Sequence, residues 1–595
     1  MILPRTAQIV IAAGVFCASL SFSFAQEAVN DVEARDQDTW REAIARTDVP
    51  AEGCFEAFYP SLTWTKTECT VTPSIPYPRL RGATVGGNND DYFAEVTTGL
   101  VNRTVGSFPT VTGVKTEKGP LGANDYMLQV NSNFMQTPAC DGASNPANCS
   151  TWEQFIYSSG YKLVYIQYWL INYNNPCPAG WTSSGNNCYR NSVNTKTVPQ
   201  AAITQLKTLK LSGSAKNGGV DTLVFTLGTT AYSFTEPDSV VDLATAWTAS
   251  EFNIFGDGNG SAATFNPLSS LTVKVAVSNG TEDQPTCVKQ GSTTGETSNL
   301  SLGTCTPTGG AAPYIEFSEW VITPITKGKA NHESPSLNDG GAFVWSQQVP
   351  GTCSGGQCWQ VFEKLPGGQP EQITSSANDH THPAIDDNGD ILYLKDGEGA
   401  GPGLEVVDLV SGVENQIEFS SGNPPGCTEP PAGPPTCTAW RAAGQFFGIG
   451  DTNAQIISYQ DFCSPTCTRT FDVSGVGTFS ALPAGTASLD VNSNGDVAYD
   501  DGTGTIFEIS LTTQTPTKVA PGTLPRINDQ GDVVLIAGGQ VQVWFHPDYV
   551  QHTTVNSSTT AIWADINNAG VVAFEDVDSS QYHQVYEAAP VAPPK

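Results

Sequence analysis

Apolar and polar positions along this chain alternate in short runs instead of recurring at helical spacing, and clusters of Gly, Asn, Ser and Pro separate the runs. Between Pro78 and Pro324 the alternation predicts strands over 126–134, 155–157, 163–173, 222–228, 271–277 and 314–322. Within the stretch from Ala246 to Val277, Phe252 and Ile254 alternate with Glu251 and Asn253. A Gly-rich run from Asp257 to Ser261 then turns the chain, and Leu271, Val273 and Val275 alternate again. Only residues 27–46 carry good helix formers throughout, which predicts one short helix in a leader covering 26–77. Many short strands with turn residues between them predict an all-β fold, with an antiparallel sandwich over 78–324.

The second half repeats. Pro335-Ser-Leu-Asn-Asp-Gly-Gly341-Ala-Phe-Val-Trp345 returns as Pro383-Ala-Ile-Asp-Asp-Asn-Gly389-Asp-Ile-Leu-Tyr393 and as Pro525-Arg-Ile-Asn-Asp-Gln-Gly531-Asp-Val-Val-Leu535. Looser copies run from Val491 to Tyr499 and from Ile566 to Phe574, with a degenerate one near Ile449 to Ser458. The copies define units of roughly 36 to 64 residues, the size of propeller blades. Each reads as a turn, a glycine needing positive φ, and an apolar strand. These units resemble exported bacterial repeats of the form Asn-x-x-Gly-x-x-Ala-Phe, which Asn567 to Phe574 match in full. The resemblance implies a β-propeller of five or six blades over 325–589, followed by a Pro-rich tail at 590–595.

Composition adds the compartment. Arg5, an apolar run from Ile9 to Phe24 and small residues near Ala25 predict a signal peptide over 1–25, so the mature chain is expected outside the cytoplasm: extracellular, periplasmic or on the cell surface. No later apolar run is long enough to span a bilayer. Of 15 cysteines, Cys17 leaves with the signal peptide. The remainder fall as close neighbours: Cys54 and Cys69, Cys140 and Cys149, Cys177 and Cys188, Cys287 and Cys305, Cys353 and Cys358, Cys427 and Cys437, Cys463 and Cys467. An even count in an exported chain predicts disulfides. Spacing leaves the connectivity open, although nearest-neighbour pairing would staple seven surface loops. Zinc is not expected, because Cys463-Ser-Pro-Thr-Cys467 lacks a second pair of ligands at the required spacing.

A formal net charge of -32 argues against nucleic acid and anionic membrane surfaces as partners. All six histidines, at 332, 380, 382, 546, 552 and 583, lie in the second half, so no Ser-His-Asp triad and no His-ligated zinc is expected in the sandwich. His380 and His382 form a candidate metal pair, set against a structural role at blade corners. Asp490, Asn492, Asn494, Gly495, Asp496 and Asp501 fall at calcium-loop spacing, but copies without those ligands keep the turn, which favours turn chemistry. No phosphate-binding or dinucleotide motif is present, and no cofactor is expected.

Carboxylates and amides remain. Tyr126-Met-Leu-Gln129-Val-Asn-Ser-Asn-Phe134 resembles the Leu-Gln-Thr-Gly-Val-x-Phe segment of the eqolisins, glutamic peptidases with a concanavalin A-like double sheet. Tyr161 to Tyr173 resembles their aromatic strand, Ala249-Ser-Glu251-Phe-Asn-Ile their Asn-Ala-Glu-Trp-Ile-Val, and Ala312-Pro-Tyr-Ile-Glu-Phe their closing strand. The resemblance implies Glu251 as general acid and base and Gln129 as oxyanion donor, with Trp169, Phe252 and Gln167 contacting substrate. The chain departs from the family at Phe252, at Val130-Asn131 and at Gln167-Tyr168. Glu319 mimics the Glu-Trp pair but arrives late in strand order. Two functions follow as expectations: an acid-active glutamic endopeptidase-like hydrolase, or a noncatalytic protein that binds polypeptide or glycan. The sequence does not give the oligomeric state.

Overall fold

The computed structural model describes residues 32–71, 91–258, 261–290, 296–353, 356–396, 404–410, 413–417, 449–450, 453–460, 471–473, 477–479, 488–510 and 513–591. The expected signal peptide and most of the Pro-rich tail lie outside these residues. Strands dominate, as the alternation predicts. The expected segments appear as Tyr126–Ser132, Ser150–Ser158, Leu163–Ile171, Val220–Leu227, Ser270–Ser278 and Tyr314–Val321, and the Glu251 segment as Ala249–Gly256.

The first half forms a nine-stranded and a ten-stranded antiparallel sheet. In the larger one, Leu163–Ile171, Ser150–Ser158, Tyr126–Ser132, Ala249–Gly256 and Asp91–Glu95 are consecutive neighbours. In the smaller one, Lys210–Ala215, Arg103–Thr112, Ser270–Ser278 and Tyr314–Val321 are. Alternate residues from both sheets meet in a single core. Leu128, Val130, Phe155, Phe252 and Ile254 come from one side, and Phe108, Leu211, Phe225, Val273 and Phe317 from the other. Tyr157 stacks on Phe225 at 4.1 Å between ring centroids. Approach is close where side chains are missing, since a Cβ on Gly106 would lie 2.0 Å from the Phe252 ring and one on Gly213 2.3 Å from Phe155.

The predicted helix is present at 32–45. Trp40 and Ile44, one turn apart on its apolar face, pack with Phe55, Trp64 and Val224.

The second half holds, among the described residues, six four-stranded antiparallel sheets, the construction of a β-propeller. The last sheet is completed from the other end of the repeats, because Thr323–Pro324 pairs with His583–Ala588. The repeated turn joins neighbouring sheets. Asn338 Nδ2 donates to Asp386 O at 2.9 Å, Asn492 to Asn528 O at 3.0 Å, and Asn528 to Asn567 O at 3.2 Å. Asn567 then donates to Asn338 O at 3.0 Å, linking the final sheet to the first. The glycines at 341, 389, 495, 531 and 570 all have φ between 73° and 85°, as the repeat requires.

The halves touch. Trp320, on the strand Tyr314–Val321, packs with Val534, Val543 and Val555 of the propeller and donates from Nε1 to Val555 O at 3.1 Å.

Five of the expected nearest-neighbour disulfides are formed: Cys54–Cys69, Cys140–Cys149, Cys177–Cys188, Cys287–Cys305 and Cys353–Cys358. Cys427, Cys437, Cys463 and Cys467 lie outside the described residues. The bonds do more than staple loops. Cys287 and Cys305 stand on edge strands of the two large sheets of the first half, so their bond ties one sheet to the other.

Candidate functional site

Because side chains alternate across a strand, placing Leu128, Val130, Phe252 and Ile254 in the inter-sheet core sends Gln129, Asn131 and Glu251 to the other face of the larger sheet. Register then brings them together. Glu251 pairs with Asn131 and Asn253 with Gln129, which makes Glu251 and Gln129 diagonal neighbours on adjacent strands. Asn131 Nδ2 donates to Glu251 Oε2 at 2.7 Å and lies 3.2 Å from Gln129 Oε1. Gln154 Nε2 donates to Gln129 Oε1 at 2.9 Å. Gln129 Nε2 faces only a weak sulfur acceptor, Met127 Sδ at 3.5 Å, so the amide is oriented through its oxygen while its N–H groups are loosely engaged.

The network continues along the sheet. Trp169 Nε1 donates to Gln154 Oε1 at 3.1 Å and to Gln167 Oε1 at 2.7 Å, and Gln167 Nε2 to Asn191 Oδ1 at 3.3 Å. An aromatic row follows the same direction: Phe134 to Trp152 at 5.8 Å, Trp152 to Trp169 at 6.5 Å and Trp169 to Tyr189 at 5.2 Å. Of these, Phe134 is 42% exposed and offers an open apolar surface. Glu251 is 1% exposed and Gln129 2%, so water reaches the pair only narrowly.

Of the residues picked out from the sequence, the structure brings Glu251, Gln129, Gln167 and Trp169 to one face. It does not bring Phe252, which points into the inter-sheet core 5.1 Å from Phe108. Glu319 reaches a different partner, accepting from Asn253 Nδ2 at 2.7 Å, and Asn253 also bonds Asp91. Asn131 and Gln154 were not singled out, although Asn131 lies two residues from Gln129 and Gln154 shares the parity of Trp152. The parity was legible, but the strand pairing that joins them was not.

A cavity of about 640 Å³ lies elsewhere, between the helix and the smaller sheet, lined by Arg41, Lys207, Lys210 and Lys274 among others. Lys210 Nζ is 3.3 Å from both Asp38 and Glu42, so its charge already serves to dock the helix.

In the propeller, His380 and His382 do not converge. Ser334 and His382 both have positive φ at strand irregularities, which breaks the alternation there. His380 packs on Tyr393, while His382 turns to Trp563 of the last sheet, and burial with Arg526 nearby lowers His382 to about 4. The calcium-like positions act as turn residues. Asn492 Oδ1 accepts from the backbone of Asn494 and Asp496, and Asp490 Oδ2 from Ile527 N at 3.0 Å.

The fold thus defines an all-β protein with a propeller-type second half. No protein-family model and no curated protein matches the sequence. Among solved structures, a gluconolactonase from Xanthomonas campestris is 12% identical with a TM-score of 0.29, covering 46% of this chain and 90% of its own. The Cps50 (Swd1) β-propeller domain of Myceliophteria thermophila is 8% identical with a TM-score of 0.26, covering 53% and 92%. The extracellular domain of a one-component system from B. thetaiotaomicron is 8% identical with a TM-score of 0.25, covering 80% and 76%. At such values the likenesses say nothing of what this chain does. No described helix is long and apolar enough to cross a membrane.

Proposed function

We propose that this chain is an exported hydrolase of the glutamic-endopeptidase kind, acting on polypeptide in an acidic setting. Its first half is a concanavalin A-like sandwich over 78–324, and 325–589 form a closed six-bladed propeller. The observation that carries the reading is the chain of bonds from Glu251 through Asn131 to Gln129 on one sheet face. Glu251 takes a proton from water as the water oxygen attacks the scissile carbonyl, and the new oxyanion accepts from Gln129 Nε2. As the C–N bond breaks, Glu251 returns the proton to the leaving amine. The aromatic row beside the pair holds apolar side chains of the substrate, with Phe134 at its open end.

The test is cleavage of a denatured protein from pH 2 to 7 by the mature chain. Glu251→Gln abolishes cleavage, and Gln129→Ala lowers kcat by about a hundredfold, the cost of one oxyanion donor. Glu319→Gln changes kcat far less. Full activity in Glu251→Gln, or none in the wild type at any acidic pH, overturns the reading. The near-complete enclosure of Glu251 and Gln129 favours a second one, in which the amide network is structural and the aromatic row binds polypeptide or glycan without cleaving it.

A further inference from the structure

We propose that Glu333, Glu575 and His583 form a binding site for one divalent transition-metal ion, placed where the first and last sheets of the propeller meet. Glu333 stands on His332–Leu337 of the first sheet, Glu575 and His583 on Val572–Val577 and His583–Ala588 of the last. One donor atom from each lies within 4.8 Å of the other two. This is a convergence of side chains from three strands across a seam, and it owes nothing to the sandwich site.

Glu575 is buried, Glu333 and His583 are half-buried, and the members are held. Glu575 is 1% exposed at its side chain and His583 28%. The Ser334 backbone N–H, on the first sheet, donates to Glu575 Oε2 at 2.9 Å. His583 N donates to Asn331 Oδ1 at 3.2 Å, and the ring of His332 lies 3.3 Å from His583 O through Nδ1. His583 Nδ1 now sits 2.6 Å from Glu575 Oε1. Ligands bound at about 2.0 to 2.2 Å from one ion stand roughly 3 Å or more apart, so small side-chain rotations would admit the metal.

Donor chemistry selects the ion. Two carboxylate oxygens and one imidazole nitrogen form a borderline set that suits Zn²⁺ or Mn²⁺, whereas Ca²⁺ and Mg²⁺ prefer all-oxygen cages. Three protein donors leave the remaining positions to water. A bound ion places a shared cation between two carboxylates whose oxygens come within 4.8 Å of each other. It also adds a clasp to a seam already joined by the Thr323–Pro324 pairing, by Asn567 and by the bonds from Ser334 to Glu575 and from His583 to Asn331.

The experiment uses the full mature protein, stripped with a chelator and titrated calorimetrically with ZnCl₂, MnCl₂ and CaCl₂, with melting followed in parallel. One equivalent of Zn²⁺ or Mn²⁺ binds and raises the melting temperature, and Ca²⁺ does neither. Glu333→Gln and His583→Ala each weaken binding at least tenfold, in the range seen when metal-site partners are lost. Because Glu575 also accepts from Ser334 N, Glu333→Gln serves as the variant that spares the seam's own hydrogen bonds. His546→Ala with His552→Ala leaves binding unchanged. Absence of stoichiometric binding, or binding that survives both Glu333→Gln and His583→Ala, overturns the proposal.

Discussion

Asparagine and glutamine side chains carry much of the organisation of this molecule, since an amide donates and accepts at once and can link two neighbours without a charge. Asn131 donates from Nδ2 to Glu251 and Gln129 and accepts at Oδ1 from Gln154, and Asn567 works both ways between sheets. Asn567 Oδ1 accepts from Ala569 N at 3.1 Å and Val571 N at 2.9 Å, while Nδ2 reaches Asn338 O, and the residue is buried. Asn567→Ala therefore leaves the Asn338 carbonyl unmet in a buried position, at about 1 to 3 kcal/mol, and frees the amides of Ala569 and Val571 to bond water. We expect destabilisation of roughly 2 kcal/mol or more in urea unfolding, against less for Asn568→Ala at the half-buried neighbouring position.

At the scale of elements, edges are what the chain protects. The smaller sheet ends at Leu300–Thr308 and the larger at Thr286–Gln290, and the Cys287–Cys305 bond joins these two edge strands. Edge strands expose unpaired backbone groups and fray first, so a covalent tie there acts on the least stable part of the two sheets. The bond closes a sequence separation of 18 residues, for which chain entropy alone gives about 3 kcal/mol. Cys287→Ser with Cys305→Ser should lower the sandwich's stability by about that amount. Amide exchange should rise first in Thr286–Gln290 and Leu300–Thr308. Unchanged exchange at both strands would sink this assignment.

For the whole molecule, buried carboxyl groups set the pH of greatest stability. Burial pushes Glu117 up to about 7, with repulsion from Asp125 and Asp257 opposing the pull of the Asp125 backbone N–H. It pushes Asp257 up to about 7 as well, and in the propeller Asp490 up to about 7 despite Arg526. Glu153 and Asp221, enclosed between the sheets, are also raised well above the usual carboxylate range by burial and by neighbouring acids. These groups keep protons that the unfolded chain releases above about pH 4. Their contribution is fully present below that value and is lost as pH rises through their raised values, about 7 for Glu117, Asp257 and Asp490. Melting temperature by calorimetry should therefore fall between pH 4 and pH 8, with both halves affected because each holds such groups. A melting temperature that climbs across this window would contradict the assignment.

The sequence by itself determined strand placement, the alternation that divides Gln129 from Leu128 and Glu251 from Phe252, the repeated turn with its positive-φ glycine, and close pairs of cysteines. These are local properties, governed by the period of two along a strand and by what one residue's backbone tolerates. Only the tertiary structure decided which strands are neighbours. That pairing brings Asn131 to Glu251 across 120 positions of chain and Glu333 to His583 across 250, and it lets Trp320 of the first half pack into a core of the second. Such contacts depend on register and on the stacking of whole sheets, which no local pattern encodes. Phe252 illustrates the difference: resemblance placed it at the substrate, and packing on Phe108 and Gly106 places it in the core.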